Sequence, residues 1–212
     1  MKKKKDGNLI IISGPSGVGK DTICTELLKR NKDISLSISM TSRNIRGNEI
    51  EGKDYYFVSK ETFIENIGKD NFLEYAIVHD EYYGTLKSEV IDKLKSGIYV
   101  VLVIDIVGAL KIKESYKDGI FIFIMPPTMK ELVSRLINRK TEAKEKIISR
   151  FKTAYKEINE VSKYNYVVIN DTVNEAVNKI EAILIAEKCS VNRIEDLELD
   201  NEEELIHELL MK

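Results

Sequence analysis

LIIISGPSGVGKDT, residues 9–22, is the stretch of sequence that decides the fold. Its four leading apolar residues predict a short strand that is buried on both faces, because a half-exposed strand would alternate. Glycines then interrupt the apolar run, and a helical pattern begins at Thr22 and continues through Ile23 and Leu27. Strand, glycine loop and helix in this order are typical of the opening of a βαβ unit in a parallel sheet.

Residues 14–20 match the pattern G-x-x-x-x-G-K, which we call the phosphate loop. Glycines let successive backbone N–H groups turn inward around an anion, and the helix that follows adds its positive end. Lys20 brings a mobile charge to the β and γ oxygens of a nucleotide. The pattern therefore predicts an ATP-binding loop, with contacts from Ser16, Gly17, Val18, Gly19, Lys20, Asp21 and Thr22.

Asp21 stands where the pattern expects a Ser or Thr that reaches Mg²⁺. A carboxylate at this position can ligate the metal directly or through water. It can also repel the phosphates, or simply cap the start of the helix. The sequence leaves these alternatives open.

A second acid, Asp105, ends the most apolar predicted strand, residues 98–105. Ligands of doubly wound sheets lie beyond the carboxyl ends of the strands, so Asp105 is placed to hold Mg²⁺ through water. The alternative is a buried acid that accepts hydrogen bonds from nearby backbone donors. Gly108 and Ala109 are expected to let the chain turn tightly after the strand.

Bulk properties exclude several classes of protein. The 212 residues carry a formal net charge of −2, whereas a general nucleic-acid binder shows a basic surplus. No apolar run approaches the roughly 18 residues of a membrane span, and the lysines in 1–7 precede too short a run for a signal peptide. Two cysteines are too few for a secreted disulfide scaffold, which favours reduced thiols and a cytoplasmic location.

Predicted strands at 120–125 and 166–170 alternate with helices at 88–95, from about 130, at 145–161 and at 173–188. This order predicts an α/β fold with a mostly parallel sheet that is covered on both faces. Residues 35–85 differ, since short alternating pieces and one helix at 60–67 indicate a mixed insert. The acidic extension 189–212 predicts a small amphipathic helix that packs on the body or caps an oligomer.

Five stretches in register resemble guanylate kinase: residues 13–20, 39–49, 51–57, 72–76 and 82–85. The resemblance runs from about residue 8 to 188 and leaves out both tails. It implies a three-layer α/β/α fold that moves the γ-phosphoryl group of ATP to GMP with Mg²⁺, in purine nucleotide metabolism. The implied division is a core of 8–38, 86–126 and 151–188, a GMP-binding subdomain of 39–85, and a lid of 127–150.

Arginines and tyrosines of the insert suit a monophosphate. Arg43 and Arg46 flank a loop with Gly47, so both guanidinium forks can clamp one phosphate. Tyr55 and Tyr83 carry hydroxyls suited to the same group, although tyrosines are also common as half-buried core residues.

The resemblance assigns guanine recognition to Glu74, assisted by Ser39 and Thr85, and it places Gly84 among the GMP-binding residues. A carboxylate that accepts from N1–H and the 2-amino group of guanine selects against adenine, which lacks that pair of donors. The alternative for Glu74 is an exposed helix acid. Two departures weaken base selection: the family usually has an acid at the position of Val103 and a glutamine at that of Val107.

Lid arginines complete the expected site. Arg135 and Arg139 lie four apart on one helix face and Arg150 follows, in the pattern of arginines that close over a triphosphate. The alternative is a helix with surface ion pairs. Asn170 and Asp171 match the family's adenine or ribose contact, or else a turn or helix cap.

Two other functions compete with this interpretation. One is a kinase of the same superfamily that acts on another phosphorylated acceptor, such as a ribose bisphosphate, which Val103 motivates. The other is a non-catalytic interaction module, which retention of Lys20 argues against. His79 and His207 lack partner spacing for metal or triad chemistry, and either a monomer or a homodimer is compatible with the sequence.

Overall fold

The computed structural model describes residues 7–78, 80–137, 144–193, 206–207 and 209–211. Predictions for the basic tail before residue 7, for His79, for Arg139 and for the acidic stretch 202–205 fall outside the described residues. Among the helices that the structure describes, none combines the length and apolar character needed to cross a bilayer.

A five-stranded parallel sheet forms the centre of the molecule. Its strands are β1 (Leu9–Ser13), β2 (Ile34–Leu36), β7 (Tyr99–Val103), β8 (Ile120–Met125) and β9 (Tyr166–Ile169). Their order across the sheet is β2-β7-β1-β8-β9. All of β1 is buried, as the unbroken apolar run predicts.

Helices cover both faces of this sheet. They are α1 (Lys20–Arg30) and α7 (Val173–Lys188) on one face, and α3 (Lys87–Lys95) and α4 (Ile106–Ser115) on the other. Alternate residues of β1 feed the two cores, since Ile10 packs toward α1 and α7 while Ile11 packs toward α3 and α4. The predicted three-layer α/β/α fold is confirmed.

A second sheet of four strands lies within the predicted insert. The elements of the insert are β3 (Met40–Thr41), β4 (Tyr56–Phe57), α2 (Lys60–Gly68), β5 (Phe72–Val78) and β6 (Glu81–Leu86). The order of the strands across the sheet is β4-β3-β6-β5. It is mixed, because β3 runs parallel to β4 and antiparallel to β6. A core of its own, with Phe63 stacked on Phe72 at 4.4 Å between ring centroids, supports it.

Two further helices, α5 (Met129–Ile137) and α6 (Lys144–Ile158), pack on each other through Leu132, Leu136 and Ala154. Helix α5 and the first part of α6 lie in the predicted lid, 127–150, whereas α6 continues to Ile158 in the segment predicted as core.

The tight turn expected at Gly108 and Ala109 is wrong. Both residues lie in the first turns of α4, which begins at Ile106 directly after Asp105. The physical reason is the Asp105 side chain, whose Oδ1 accepts a hydrogen bond from the Gly108 amide at 2.8 Å and caps the helix. An aspartate followed three residues later by a glycine is compatible with a capped helix start as well as with a tight turn.

Candidate active site

The phosphate loop joins the carboxyl end of β1 to the start of α1. Gly17 and Gly19 adopt φ values of +86° and +98°, a left-handed conformation that side chains disfavour. Gly19 precedes α1 as its N-cap and has no side chain with which to cap it. The first N–H groups of α1 therefore remain available to an anion or to water.

Lys20 folds back over this loop. Its ammonium donates to the carbonyl oxygens of Gly14 at 2.7 Å and Pro15 at 3.3 Å. Asp21 and Thr22 follow in the first turn of α1 and are exposed. A negative charge there is favourable to the helix, and it lies next to the cation predicted to reach the phosphates.

Asn170 and Arg135 support the phosphate loop through hydrogen bonds to its main chain. The Asn170 side-chain amide donates to the Val18 carbonyl at 2.7 Å and is buried. Arg135 donates to that carbonyl at 3.3 Å and to the Asn170 carbonyl at 3.2 Å, while Glu131 accepts from it at 2.6 Å. The Asn170 amide thus supports the main chain, and exposed Asp171 lies 3.9 Å from the Lys179 ammonium.

Helices α5 and α6 both contact the phosphate loop directly. A Cβ at Gly17 would lie 2.9 Å from a methyl of Leu136, so the two segments are in van der Waals contact. Arg150 donates to the Ser16 hydroxyl from α6. Two of the three predicted lid arginines, Arg135 and Arg150, therefore touch the phosphate loop.

Arg43 is held by a partner that the sequence reading missed. Its fork donates to both Glu49 carboxylate oxygens at 2.7 Å, and this hydrogen bonding raises the pKa of Arg43. The guanidinium also lies over the ring of Tyr55 at 4.9 Å and that of Phe57 at 5.5 Å. Glu49 accepts from the Arg46 backbone N–H at 2.8 Å as well.

Glu49 therefore organises both arginines of the predicted clamp. The Arg43 side chain is buried, whereas Arg46 is exposed. An acid six residues after Arg43 in the same loop was the signal that could have revealed this pairing, because arginine forks match carboxylates well. Phe57 carried no such signal, since an aromatic residue within a strand usually indicates core packing.

Tyr55 connects the acceptor arginine to the phosphate loop. Burial is the largest cause that raises its pKa, the charge of Asp21 raises it further, and the charge of Arg43 lowers it. Tyr55 thus contacts Arg43 directly, and the charge of Asp21 acts on its hydroxyl. Its ring meets that of Tyr83 edge-on at 6.0 Å between centroids.

Glu74 lies on β5 and is 7% exposed, so it is neither helical nor on the surface. The hydroxyl of fully buried Thr85, opposite it on β6, donates to its Oε1 at 2.9 Å. Burial raises the pKa of Glu74 to about 7; the charge of Asp105 adds to this rise, while Thr85 and Lys111 oppose it.

Asp105 lies beside this carboxyl. One of its oxygens is committed to capping α4, and its charge acts on Glu74. The acid predicted to hold Mg²⁺ therefore acts electrostatically on a residue of the second sheet. Val103 packs on the apolar core at the end of β7, and Val107 is exposed on α4.

The remaining predicted residues have clear positions. The Ser39 carbonyl accepts from the Tyr56 backbone N–H at 2.9 Å, and its side chain is half-buried. Gly84 is buried against Phe72, where a Cβ would come within 2.8 Å of the ring. Packing alone therefore requires glycine at 84.

Mg²⁺ fits this arrangement as a partner of nucleotide phosphates. Within the described residues, no three acids, histidines or cysteines form a group that could hold a metal. Protein-bound Mg²⁺ that accompanies phosphates commonly uses only one or two carboxylates and keeps several waters. Exposed Asp21, next to the phosphate loop, can supply one such carboxylate.

Comparison with known proteins agrees with this geometry. A family model described as guanylate kinase matches residues 6–187. The guanylate kinase of Clostridium tetani is 58% identical over 204 residues, which cover 96% of this chain and 98% of that protein. That of Caldanaerobacter subterraneus subsp. tengcongensis is 57% identical over 206 residues, covering 97% and 100%.

A solved structure of guanylate kinase from Anaplasma phagocytophilum superposes with a TM-score of 0.77 at 32% identity. The match covers 98% of this chain and 97% of that one. Fold and sequence therefore agree, and the chain belongs to the guanylate kinase family.

Proposed function

We propose that this chain transfers the γ-phosphoryl group of ATP to GMP and so produces ADP and GDP. The observation that carries the proposal is the position of Tyr55. The charges of Asp21, beside the phosphate loop, and of Arg43, in the second sheet, both shift the pKa of its hydroxyl. This electrostatic coupling supports a site in which the phosphate loop and Arg43 act on neighbouring phosphates. Relatives named guanylate kinase at 58% and 57% identity support the same activity.

The donor half binds ATP. Backbone N–H groups of residues 16–22 surround the β and γ phosphates, and Lys20 moves from the loop carbonyls to the γ oxygens. Arg135 and Arg150, which already contact the loop, neutralise the charge that spreads over the transferred group. Arg139 is proposed for the same task, with Asn170 and Asp171 near the adenosine.

The acceptor half binds GMP. Arg43 and Arg46 hold its phosphate, with the hydroxyls of Tyr55 and Tyr83, while Glu74, Ser39 and Thr85 recognise the guanine. Ionised Glu74 accepts from N1–H and the 2-amino group, and Thr85 fixes its other oxygen. Gly84 gives the strand its close packing, so its proposed contribution is through the backbone.

Positioning accounts for most of the catalysis. Phosphoryl transfer needs little covalent participation from the protein, so the rate depends on alignment and charge neutralisation. Closure of α5 and α6 over the loop excludes water, which otherwise competes with GMP for the phosphoryl group. Mg²⁺, when bound with ATP, supplies additional positive charge; Asp21, and Asp105 through water, are the residues proposed to hold it.

ADP formation with GMP, compared with AMP, CMP and UMP as acceptors, tests the proposal. We expect turnover with GMP to exceed that with each of the other three. Turnover with another phosphorylated acceptor and none with GMP would exclude the guanylate kinase assignment. ADP formation that is independent of any acceptor would indicate simple hydrolysis and also contradict it.

A further inference from the structure

Gly108 is a helical glycine with an unusual neighbour. It lies in the first turn of α4, and a Cβ at this position would come within 2.6 Å of Glu74 Oε2 and 3.1 Å of Glu74 Cδ. Real Cβ atoms essentially never approach another atom so closely. Glycine is also a poor helix former, so local helix propensity does not explain its presence.

The surroundings of Glu74 leave it little room to move. Its Oε1 accepts a hydrogen bond from the hydroxyl of Thr85. Both residues are buried, and they lie opposite each other on neighbouring strands. On the other side, the Gly108 amide is bonded to Asp105 Oδ1, which holds the helix start in place. A side chain at 108 would therefore press on an anchored carboxyl from an anchored helix.

We propose that Gly108 is a specificity-determining positioning residue: the missing side chain sets the depth and angle at which the Glu74 carboxylate meets the acceptor base. This inference rests on the proposed function, in which Glu74 recognises guanine. Gly108 itself touches no substrate. It acts through Glu74, whose carboxyl atoms are the nearest ones to a Cβ at this position.

A Gly108→Ala variant tests the proposal against a matched control. Gly68 also lies in a helix, the last residue of α2, but a Cβ there meets no atom within 4 Å. We expect Gly108→Ala to raise KM for GMP by roughly tenfold, because a buried charged hydrogen bond is misaligned. ADP affinity and kcat at saturating GMP should stay near wild type, and Gly68→Ala should match wild type throughout.

A double-mutant comparison separates this role from a merely structural one. Glu74→Asp shortens the acid by one methylene and opens space for a Cβ at 108. If the contact with Glu74 is the cause, adding Gly108→Ala to Glu74→Asp should change KM for GMP much less than adding it to wild type. Equal changes in both backgrounds would overturn the proposal.

Thermal unfolding keeps the test decisive if Gly108→Ala folds poorly. In that case the Glu74→Asp, Gly108→Ala double variant should recover the midpoint of Glu74→Asp alone, and failure to recover would overturn the proposal. Wild type that phosphorylates GMP while Gly108→Ala behaves identically refutes only this inference. Wild type without activity on GMP refutes the proposed function itself.

Discussion

The phosphate loop and the second sheet are built in different ways for the ligands that we propose they bind. The loop is made of main chain: Gly17 and Gly19 in left-handed conformations, with the Val18 carbonyl braced by Asn170 and Arg135. The second sheet presents side chains instead, with Arg43 locked to Glu49 and Glu74 anchored by Thr85.

This difference teaches how the two sites divide the work. Backbone N–H groups and a helix start recognise negative charge and cannot distinguish one base from another. Buried side chains with defined hydrogen bonds can, because a mismatched ligand leaves them unpaired. We therefore expect changes in the loop to act on the rate, and changes in the second sheet to act on the choice and affinity of the acceptor.

Lys20→Met should have the largest effect. Removing the mobile charge of the loop should lower kcat by roughly a thousandfold, since one preorganised electrostatic contact is typically worth that much. Lys29→Met is the control, because Lys29 lies on the same helix with its side chain 78% exposed. Steady-state ADP formation measures both, and unchanged turnover in Lys20→Met would contradict the role assigned to the loop.

Arg43→Lys should weaken the acceptor site and spare the donor site. A lysine cannot reproduce the two parallel hydrogen bonds, so KM for GMP should rise by about 10- to 100-fold while ADP affinity is retained. Arg30→Lys is a suitable control, because Arg30 also pairs with a carboxylate, Glu26, but lies far along α1. Equal losses of ADP and GMP affinity would contradict the assignment of Arg43 to the acceptor site.

GMP affinity should depend on pH through Glu74. With the Glu74 pKa at about 7, the ionised form that accepts from guanine falls from mostly populated at pH 8 to a minor fraction at pH 6. The dissociation constant for GMP should then rise roughly tenfold across this interval. Calorimetric titrations of Glu74→Gln correct for titration of the GMP phosphate, and an equal pH dependence in both proteins would rule out Glu74 as the source.

Protein stability should show the opposite dependence on pH. A carboxyl whose pKa is raised by folding stabilises the folded state below its unfolded pKa, and that contribution is lost as pH rises through about 7. Relative to Glu74→Gln, wild type should lose roughly 3 kcal/mol of unfolding free energy between pH 4.5 and pH 8. Urea unfolding of both proteins checks this, and a constant difference across the range would contradict burial of an ionisable Glu74.

Much of the core fold follows from local sequence. The apolar runs of β1 and β8 predict buried parallel strands, and the span predicted for α7, 173–188, agrees with the observed helix. The start of α4 does not follow as easily, because Asp105 and Gly108 individually resemble turn residues. Only the hydrogen bond between them, three residues apart, turns the pair into a helix cap.

The site divides in the same way. The phosphate loop can be predicted from the sequence because its function needs a left-handed backbone, and therefore glycines, at fixed intervals. The partner of Arg43 is local, since Glu49 lies six residues away in the same loop. The burial of Glu74 depends instead on how two strands pair, with Glu74 opposite Thr85, and no local pattern encodes that register. The Asn170 brace likewise depends on contact between residues 152 positions apart.

The central claim is that the phosphate loop and Arg43 hold two phosphates in line on either side of Tyr55. A compound in which a pentaphosphate chain joins adenosine to guanosine tests it most directly by isothermal titration. The account predicts binding at least about a hundredfold tighter than that of ADP or GMP alone, because both sites are engaged at once. Affinity no greater than that of ADP would show that the two sites cannot be bridged, and would contradict the account.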